Sequence, residues 1–462
     1  MKNKLEQNLT EGSVIKQLSR FCIPFLLSNL LQALYSVTDT LVVSWFAGPS
    51  TVSGVVIGGQ ITMVSMNFAI GFTVGGTVLI GQYFGANKKK ELTKTIGTMF
   101  TILAIISVIM TAVVVIFAKP ILRLVRTPAE SFDEAYIYLV ICMFGTVFTF
   151  GYNAVSAILR GMGDSKSPLY FVLIAGIVNT LLDLPFVGVF GWGAAGDAAS
   201  TIMAQALSLI LAVLYLKKKE FVFDFKLENF RIDRDQLKKI LKIGVPNSIQ
   251  NVVVGMSFLL MTTLVNGFGV NASAAVGIAG RLNGFAILPA IAMSSSVSSM
   301  AAQNIGAGKI DRAKKVMHSG IMLALPIGII FFCAAYFAPN MLMRIFTSDA
   351  EVIGLGVEYL RYFSIDYIVV AFFFCINGLL MGAGMTTFTM INGILSSIAL
   401  RIPTAYIFSM VLKMGLSGVG LGAPVASIGS LIISFIFYKT GRWARKDLVG
   451  KSSIVVEEYD MM

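Results

Sequence analysis

The chain reads as long apolar runs, interrupted at intervals by short charged or Gly/Pro/Asn-rich segments. From Phe21 to Asn87 the only charged residue is Asp39, and uncharged stretches follow at 95–118, 135–159, 198–216, 243–280, 282–308 and 316–343. Between Ser167 and Gly196 the sole charge is Asp183, and from Tyr362 to Leu400 it is Asp366. A helix needs about 20 apolar residues to span the hydrocarbon core of a bilayer, so several of these stretches hold two helices. Clusters such as Ala47-Gly48-Pro49-Ser50 and Asn266-Gly267-Phe268-Gly269 mark the turns inside them. The pattern predicts twelve helices, at roughly 15–45, 51–80, 94–118, 134–159, 168–190, 195–216, 240–265, 272–300, 316–338, 357–382, 388–411 and 418–438. A polar start through Arg20 precedes a full-length first span, with no small-residue cleavage site after a short apolar core. The first helix is therefore expected to be retained.

Composition agrees. Hydrophobic residues make up 56% of the chain and charged ones 13%, with a mean hydropathy of +0.81, which excludes a soluble globular protein. The net charge of +12 suggests nucleic-acid binding until the positive residues are located. Most of the 36 Lys and Arg fall in segments 1–20, 82–96, 160–166, 217–242, 309–315 and 439–451, which are the alternate connections and the two termini. By the positive-inside rule these face the cytoplasm, so both termini are expected there and nucleic acid is not a partner. Cys22, Cys142, Cys333 and Cys375 all lie in apolar runs without CxxC pairing and read as packing residues. The single histidine, His318, sits beside a basic turn and reads as solvated.

The chain also repeats itself at an offset of about 221 positions. "GQYFGANKKK" at Gly81 answers "AQNIGAGKID" at Ala302, "GVVIGGQ" at Gly54 answers "AVGIAGR" at Ala275, and "LRGMG" at Leu159 answers "LMGAG" at Leu380. Pro24 answers Pro246, and Pro185 answers Pro403. Six helices per unit start both units on the same side of the membrane, which gives two parallel repeats. The expected organisation is an all-α integral membrane protein with a first lobe at 1–216, a cytoplasmic linker at 217–242 and a second lobe at 243–462. Such duplication favours a transporter working by alternating access.

A charge at the centre of a membrane helix costs about 2.5–3.5 kcal/mol on insertion scales, so Asp39, Asp183, Asp366, Arg401 and the deep-lying Arg281 each need a reason to be there. Asn29, Gln32, Tyr35, Ser36 and Asp39 are three or four apart and share one stripe of the first helix. Asn179 and Asp183 share a face of the fifth, just before Pro185, whose missing amide can open the helix and free carbonyl oxygens. Two carboxylates with neutral oxygens are the ligand set that a proton or a hard monovalent cation such as Na+ requires. Met261 stands where Asp39 stands in the repeat, Arg401 where Asp183 does and Arg281 where Gln60 does, which places the cation site in the first half only. Asp366 is expected to pair with Arg401 or Arg281. "GMGDSKS" at Gly161 does not fit a phosphate-binding loop, so this chain does not hydrolyse ATP, and no nucleophile–base–metal constellation suggests an enzyme.

The two six-helix halves, "PFLLSNLLQALYSVTDTLVVSWFAG" in the first helix, "GQYFGA" after the second, "LRGMGDSKSP" before the fifth and "NTLLDLP" within it together resemble the multidrug and toxic compound extrusion (MATE) family over nearly the whole chain. The resemblance implies a V-shaped pair of lobes. It further implies export of bulky, often cationic and aromatic compounds across the inner (cytoplasmic) cell membrane in exchange for H+ or Na+, without a cofactor and by a monomer. It assigns cation coupling, with possible Na+ binding, to Asp39 and Asp183, with Gln32, Tyr35, Asn153, Asn179 and Thr201 as matching polar neighbours. Another branch of the family uses an acid on the seventh helix, where this chain has Gln250 and Asn251. Arg281, Asp366 and Arg401 are left as candidate substrate contacts. The two arginines keep open a flippase of a lipid-linked precursor or an exporter of an anionic metabolite.

Overall fold

The structure, a computed structural model, describes residues 7–219, 221–445 and 448–450. Residues 1–6 and 451–462, including the two ends expected to be cytoplasmic, lie outside the described residues. The long apolar helices come in two sets of six. The first comprises α1 (Val14–Phe46), α2 (Pro49–Gly85), α3 (Lys89–Ile116), α4 (Ala129–Phe144 continued by Thr146–Gly161), α5 (Lys166–Val189) and α6 (Gly193–Lys218). The second comprises α7 (Arg234–Asn266), α8 (Val270–Gly306), α9 (Ile310–Phe337), α10 (Ala350–Gly382), α11 (Thr386–Val411) and α12 (Gly415–Lys439). Among the described residues eleven of these are single spans, and α4 is the twelfth, bent by 48° between its two pieces. The bend falls at Gly145, where any Cβ would collide with the side chain of Ile202 on α6. Helix ends run up to seven residues beyond the expected limits, because the hydrogen-bonded ladder continues past the apolar core into the polar connections.

Duplication is visible in the backbone. The non-glycine residue Asn87 turns with φ 56° and its repeat partner Gly308 with φ 78°; Gly163 and Gly384 pair at 90° and 75°, and Gly193 and Gly415 at 53° and 59°. It is visible in packing as well. Gly378 and Gly382 lie one turn apart on α10, and a Cβ on either would come within 2.5 Å of a backbone oxygen of α8, that of Ser294 or Ser298. In the first set Gly161 on α4 faces the Thr77 carbonyl of α2 in the same way, at 2.9 Å, and the Thr77 hydroxyl donates to the Ala157 carbonyl at 3.1 Å. Lipid offers no hydrophobic drive between helices, so such small-residue contacts and interhelical hydrogen bonds hold the bundle. Many large apolar side chains also point outward, with Trp45, Val108, Ile116 and Leu259 all exposed. Cys22, Cys142 and Cys375 are buried, as their apolar setting suggests, whereas Cys333 is exposed on the outer face of α9.

By contact the described residues form two compact units, one of residues 7–8 with 27–248 and one of residues 9–26 with 249 onward. This differs from the expected lobes at 1–216 and 243–462 at both starts. The reason is local: Leu18, Phe21 and Cys22 of α1 are buried with Met293, Val297 and Met300, and Leu9 N donates to Gln303 Oε1 at 3.1 Å. Conversely, Ser248 of α7 donates to the Phe68 carbonyl at 2.9 Å. Residues 217–242 are anchored to the first unit rather than loose. Phe223, Phe225 and Phe230 surround Phe100 of α3. Asp233 meets Lys94 at 2.8 Å and accepts from the Asp235 and Gln236 amides at the start of α7. The Lys94 hydrogen bond first, and those amides second, hold the Asp233 carboxyl below its ordinary range.

Replacing Gly382 by valine is expected to force α8 and α10 apart, because the added carbon meets main chain that cannot rotate away. The detergent-purified variant should lose its monodisperse size-exclusion peak, whereas Gly255→Val, at a position with open space around it, should keep it.

Candidate cation site on α1, α5 and α6

Three acidic side chains converge within the first unit. Asp39 comes from α1, Asp183 from α5 and Asp197 from α6, and one carboxylate oxygen of each lies within 4.8 Å of the others. Helical spacing delivers the remaining members: Tyr35 stands one turn before Asp39, Asn179 one turn before Asp183, and Ser200 and Thr201 one turn after Asp197. The Tyr35 hydroxyl and Thr201 Oγ1 are 3.0 Å apart. Asn179 Nδ2 donates to Thr201 Oγ1 at 3.2 Å and to Ser200 Oγ at 3.4 Å. Ser200 Oγ in turn hydrogen-bonds Asp183 Oδ1. The helix just past Asp183 is widened into a π-helical turn over Leu184–Val189. Pro185 lacks the amide that would continue the ordinary ladder, and Phe190 N reaches back five residues to the Pro185 carbonyl at 2.8 Å.

The site is acidic and largely buried, with Asp39 alone among the three acids partly exposed. Asn179, Asp183 and Asp197 are all 0% exposed. Several of its oxygens receive no hydrogen bond: Asp39 Oδ1, Asp183 Oδ2, Asn179 Oδ1 and both oxygens of Asp197. Among the described residues no Lys or Arg forms an ion pair with any of the three acids. Two ionised carboxylates within 4.8 Å repel by at least about 3.5 kcal/mol at an effective dielectric near 20. A set of inward-facing carboxylate, amide and hydroxyl oxygens lacking donors suits a hard cation or protons.

Not every expected residue arrives. Tyr35, Asp39, Asn179, Asp183 and Thr201 are gathered, but Gln32 is exposed, and Asn153 Nδ2 is satisfied by the Thr149 carbonyl one turn back in its own helix at 2.9 Å. Asp197 and Ser200 are additions. The spacing of four between Asp197 and Thr201 carried the signal, but the acid stands at the edge of an uncharged run and reads there as its boundary. In the second unit Arg281 is exposed, and among the described residues no salt bridge joins Asp366 to Arg401 or Arg281. The expected ion pair is replaced by a cation–π contact: the Arg401 guanidinium carbon lies 4.8 Å from the centre of the Phe258 ring. Its Nε and Nη1 atoms, and Asp366 Oδ1, are buried without hydrogen-bond partners.

A duplicated bundle of membrane-spanning helices with unpaired acids enclosed in one half defines an integral membrane transporter. The family model described as MatE matches twice, over residues 24–184 and 246–407, which are the two repeats. The chain belongs to this family, the MATE multidrug efflux transporters, and is a transporter rather than an enzyme. It is 30% identical to the probable multidrug resistance protein YpnP of Bacillus subtilis, over 94% of this chain and 97% of that one. It is 25% identical to the probable multidrug resistance protein NorM of Thermotoga maritima, over 95% of each chain. Among solved structures, an outward-facing multidrug resistance MATE transporter of the MOP superfamily shares its fold with a TM-score of 0.89, at 22% identity over 96% of this chain and 99% of that one.

The Thr201 hydroxyl serves both Tyr35 and Asn179, so Thr201→Val removes two hydrogen bonds at about 0.5–1.5 kcal/mol each. The thermal unfolding midpoint in detergent should fall by several degrees, while Gln32→Leu should leave it unchanged.

Proposed function

We propose that this chain exports bulky, apolar organic cations across the cell membrane in exchange for inward-moving H+ or Na+, as a monomer working by alternating access. The observation that carries this reading is the acid cluster. Buried carboxylates without a basic partner are held at a cost, and a cation that enters from one side and leaves to the other gives that cost a use. Asp39 and Asp183 are the primary ligands, with Asn179 and Thr201 supplying neutral oxygens. Loading lowers the negative charge of the site and relaxes the repulsion among the acids, so α1 and α5 can repack between a loaded and an empty arrangement. Tyr35 links this to a possible cargo: beside the cluster it lines a cleft of about 320 Å³ between α1 and α5, walled by Leu31, Leu34, Val172, Ile177 and Leu181. Such walls suit hydrophobic and aromatic compounds rather than strongly hydrated ones.

A second reading, transport of an anionic or lipid-linked substrate, is favoured by one observation, the half-buried Arg401, whose Nε and Nη1 are enclosed without hydrogen-bond partners. Vesicles separate the two. Under the first reading an imposed pH or sodium gradient drives uphill movement of a fluorescent cationic dye; under the second neither does, and a lipid-linked sugar is moved instead. Asp39→Asn should insert normally and lose gradient-driven export, with Asp366→Asn milder. Equal and complete loss from both substitutions, at normal protein levels, would overturn the assignment of coupling to the first half.

A further inference from the structure

Asp197 gives the cluster more negative charge than one monovalent cation can balance. It lies at the N-terminal end of α6, is 0% exposed, and neither of its oxygens receives a hydrogen bond. The oxygen of a neutral neighbour, Asn179 Oδ1, is likewise enclosed and unpaired although the Asn179 amide nitrogen is held in place by Ser200 and Thr201. Ligand oxygens thus exceed protein donors by a wide margin. With one cation aboard, three ionised carboxylates keep two uncompensated charges in a largely buried site. With two aboard a single charge remains, and the positive end of the α6 dipole, to which Asp197 is the nearest of the three acids along the chain, offsets part of it.

We propose that Asp197 makes this a two-charge site: it takes a second monovalent cation, H+ or Na+, beside the one held by Asp39 and Asp183, so that each turnover carries two positive charges inward. This rests on the coupled-export reading and adds a stoichiometry to it. Removing Asp197 should leave a transporter that still couples, but to one charge.

Membrane potential reads the difference directly. Export of ethidium, which bears one positive charge, is electroneutral against one inward cation and moves a net positive charge inward against two. In proteoliposomes under a fixed pH or sodium gradient, a potassium diffusion potential negative on the side the dye leaves should raise the wild-type steady-state dye ratio tenfold for about 59 mV. Asp197→Asn should still be driven by the ion gradient but show no response to the potential. The proposal is overturned if the wild type ignores the potential, a result that holds whether or not the variant folds, or if Asp197→Asn responds as the wild type does, which would mark Asp197 as a permanently protonated structural acid. Asp39→Asn is the control for the underlying reading. Gradient-driven export that survives in it, or no ethidium movement by the wild type under any gradient, brings down coupling itself rather than its stoichiometry.

Discussion

A carboxylate enclosed in an apolar bundle is held at a cost of several kcal/mol unless something positive or protic meets it. The first helix set contains three within 4.8 Å of each other, on three different helices. What surrounds them follows from that constraint. Thr201 and Ser200 tie Asn179 and Asp183 into one network, and Tyr35 extends it to α1. These bonds hold the neutral side chains in place and leave the acids, and Asn179 Oδ1, short of donors. A structural polar core would be built the other way, with each acid met by an arginine or by several amides. The deficit sets this cluster apart from such a core.

Holding such a site still requires helices that approach closely, and lipid does not push them together. The duplicated contacts answer this. Gly382 on Ser298 and Gly161 on Thr77 place main chain against main chain at equivalent points of the two sets, where dispersion and short polar contacts are strongest. Small residues sit at these close approaches, while large ones such as Phe150 and Met99 fill the space between helices and others such as Trp45 and Leu259 face the outside of the bundle.

Most of the architecture was legible in the sequence because a bilayer imposes one length and one polarity on every span, and because the repeat made each half a check on the other. Asp39 and Asp183 were legible for the same reason: a lone charge in a long apolar run stands out. Asp197 did not stand out, since a charge at the end of a run looks like a boundary, and only the fold shows that the first turn of α6 lies at the depth of the other acids. Asn153 and Gln32 show the converse limit. The stripe admits Gln32 and the family resemblance admits Asn153, but an asparagine can satisfy itself on the preceding turn, and the sequence does not distinguish that outcome from an interhelical bond. The division of α1 near Leu26 and of α7 near Ser248 was invisible too, because it depends on which neighbours each half-helix meets and not on its own composition.

The two sets keep the same mechanical device and fill it differently. Pro185 follows Asp183, and Pro403 follows Arg401; both helices are widened nearby, over Leu184–Val189 in α5 and over Leu395–Arg401 in α11. The widening therefore belongs to the proline and its missing amide, not to the acid or the cation beside it. With Arg401 in place of Asp183 and Met261 in place of Asp39, the second set offers at the same station a guanidinium resting on Phe258. A cation cannot settle there against a fixed positive charge in a low-dielectric site. Opposite charges at equivalent positions make the duplicated bundle asymmetric: the first set gathers acids at this station, and the second rests a guanidinium on an aromatic ring.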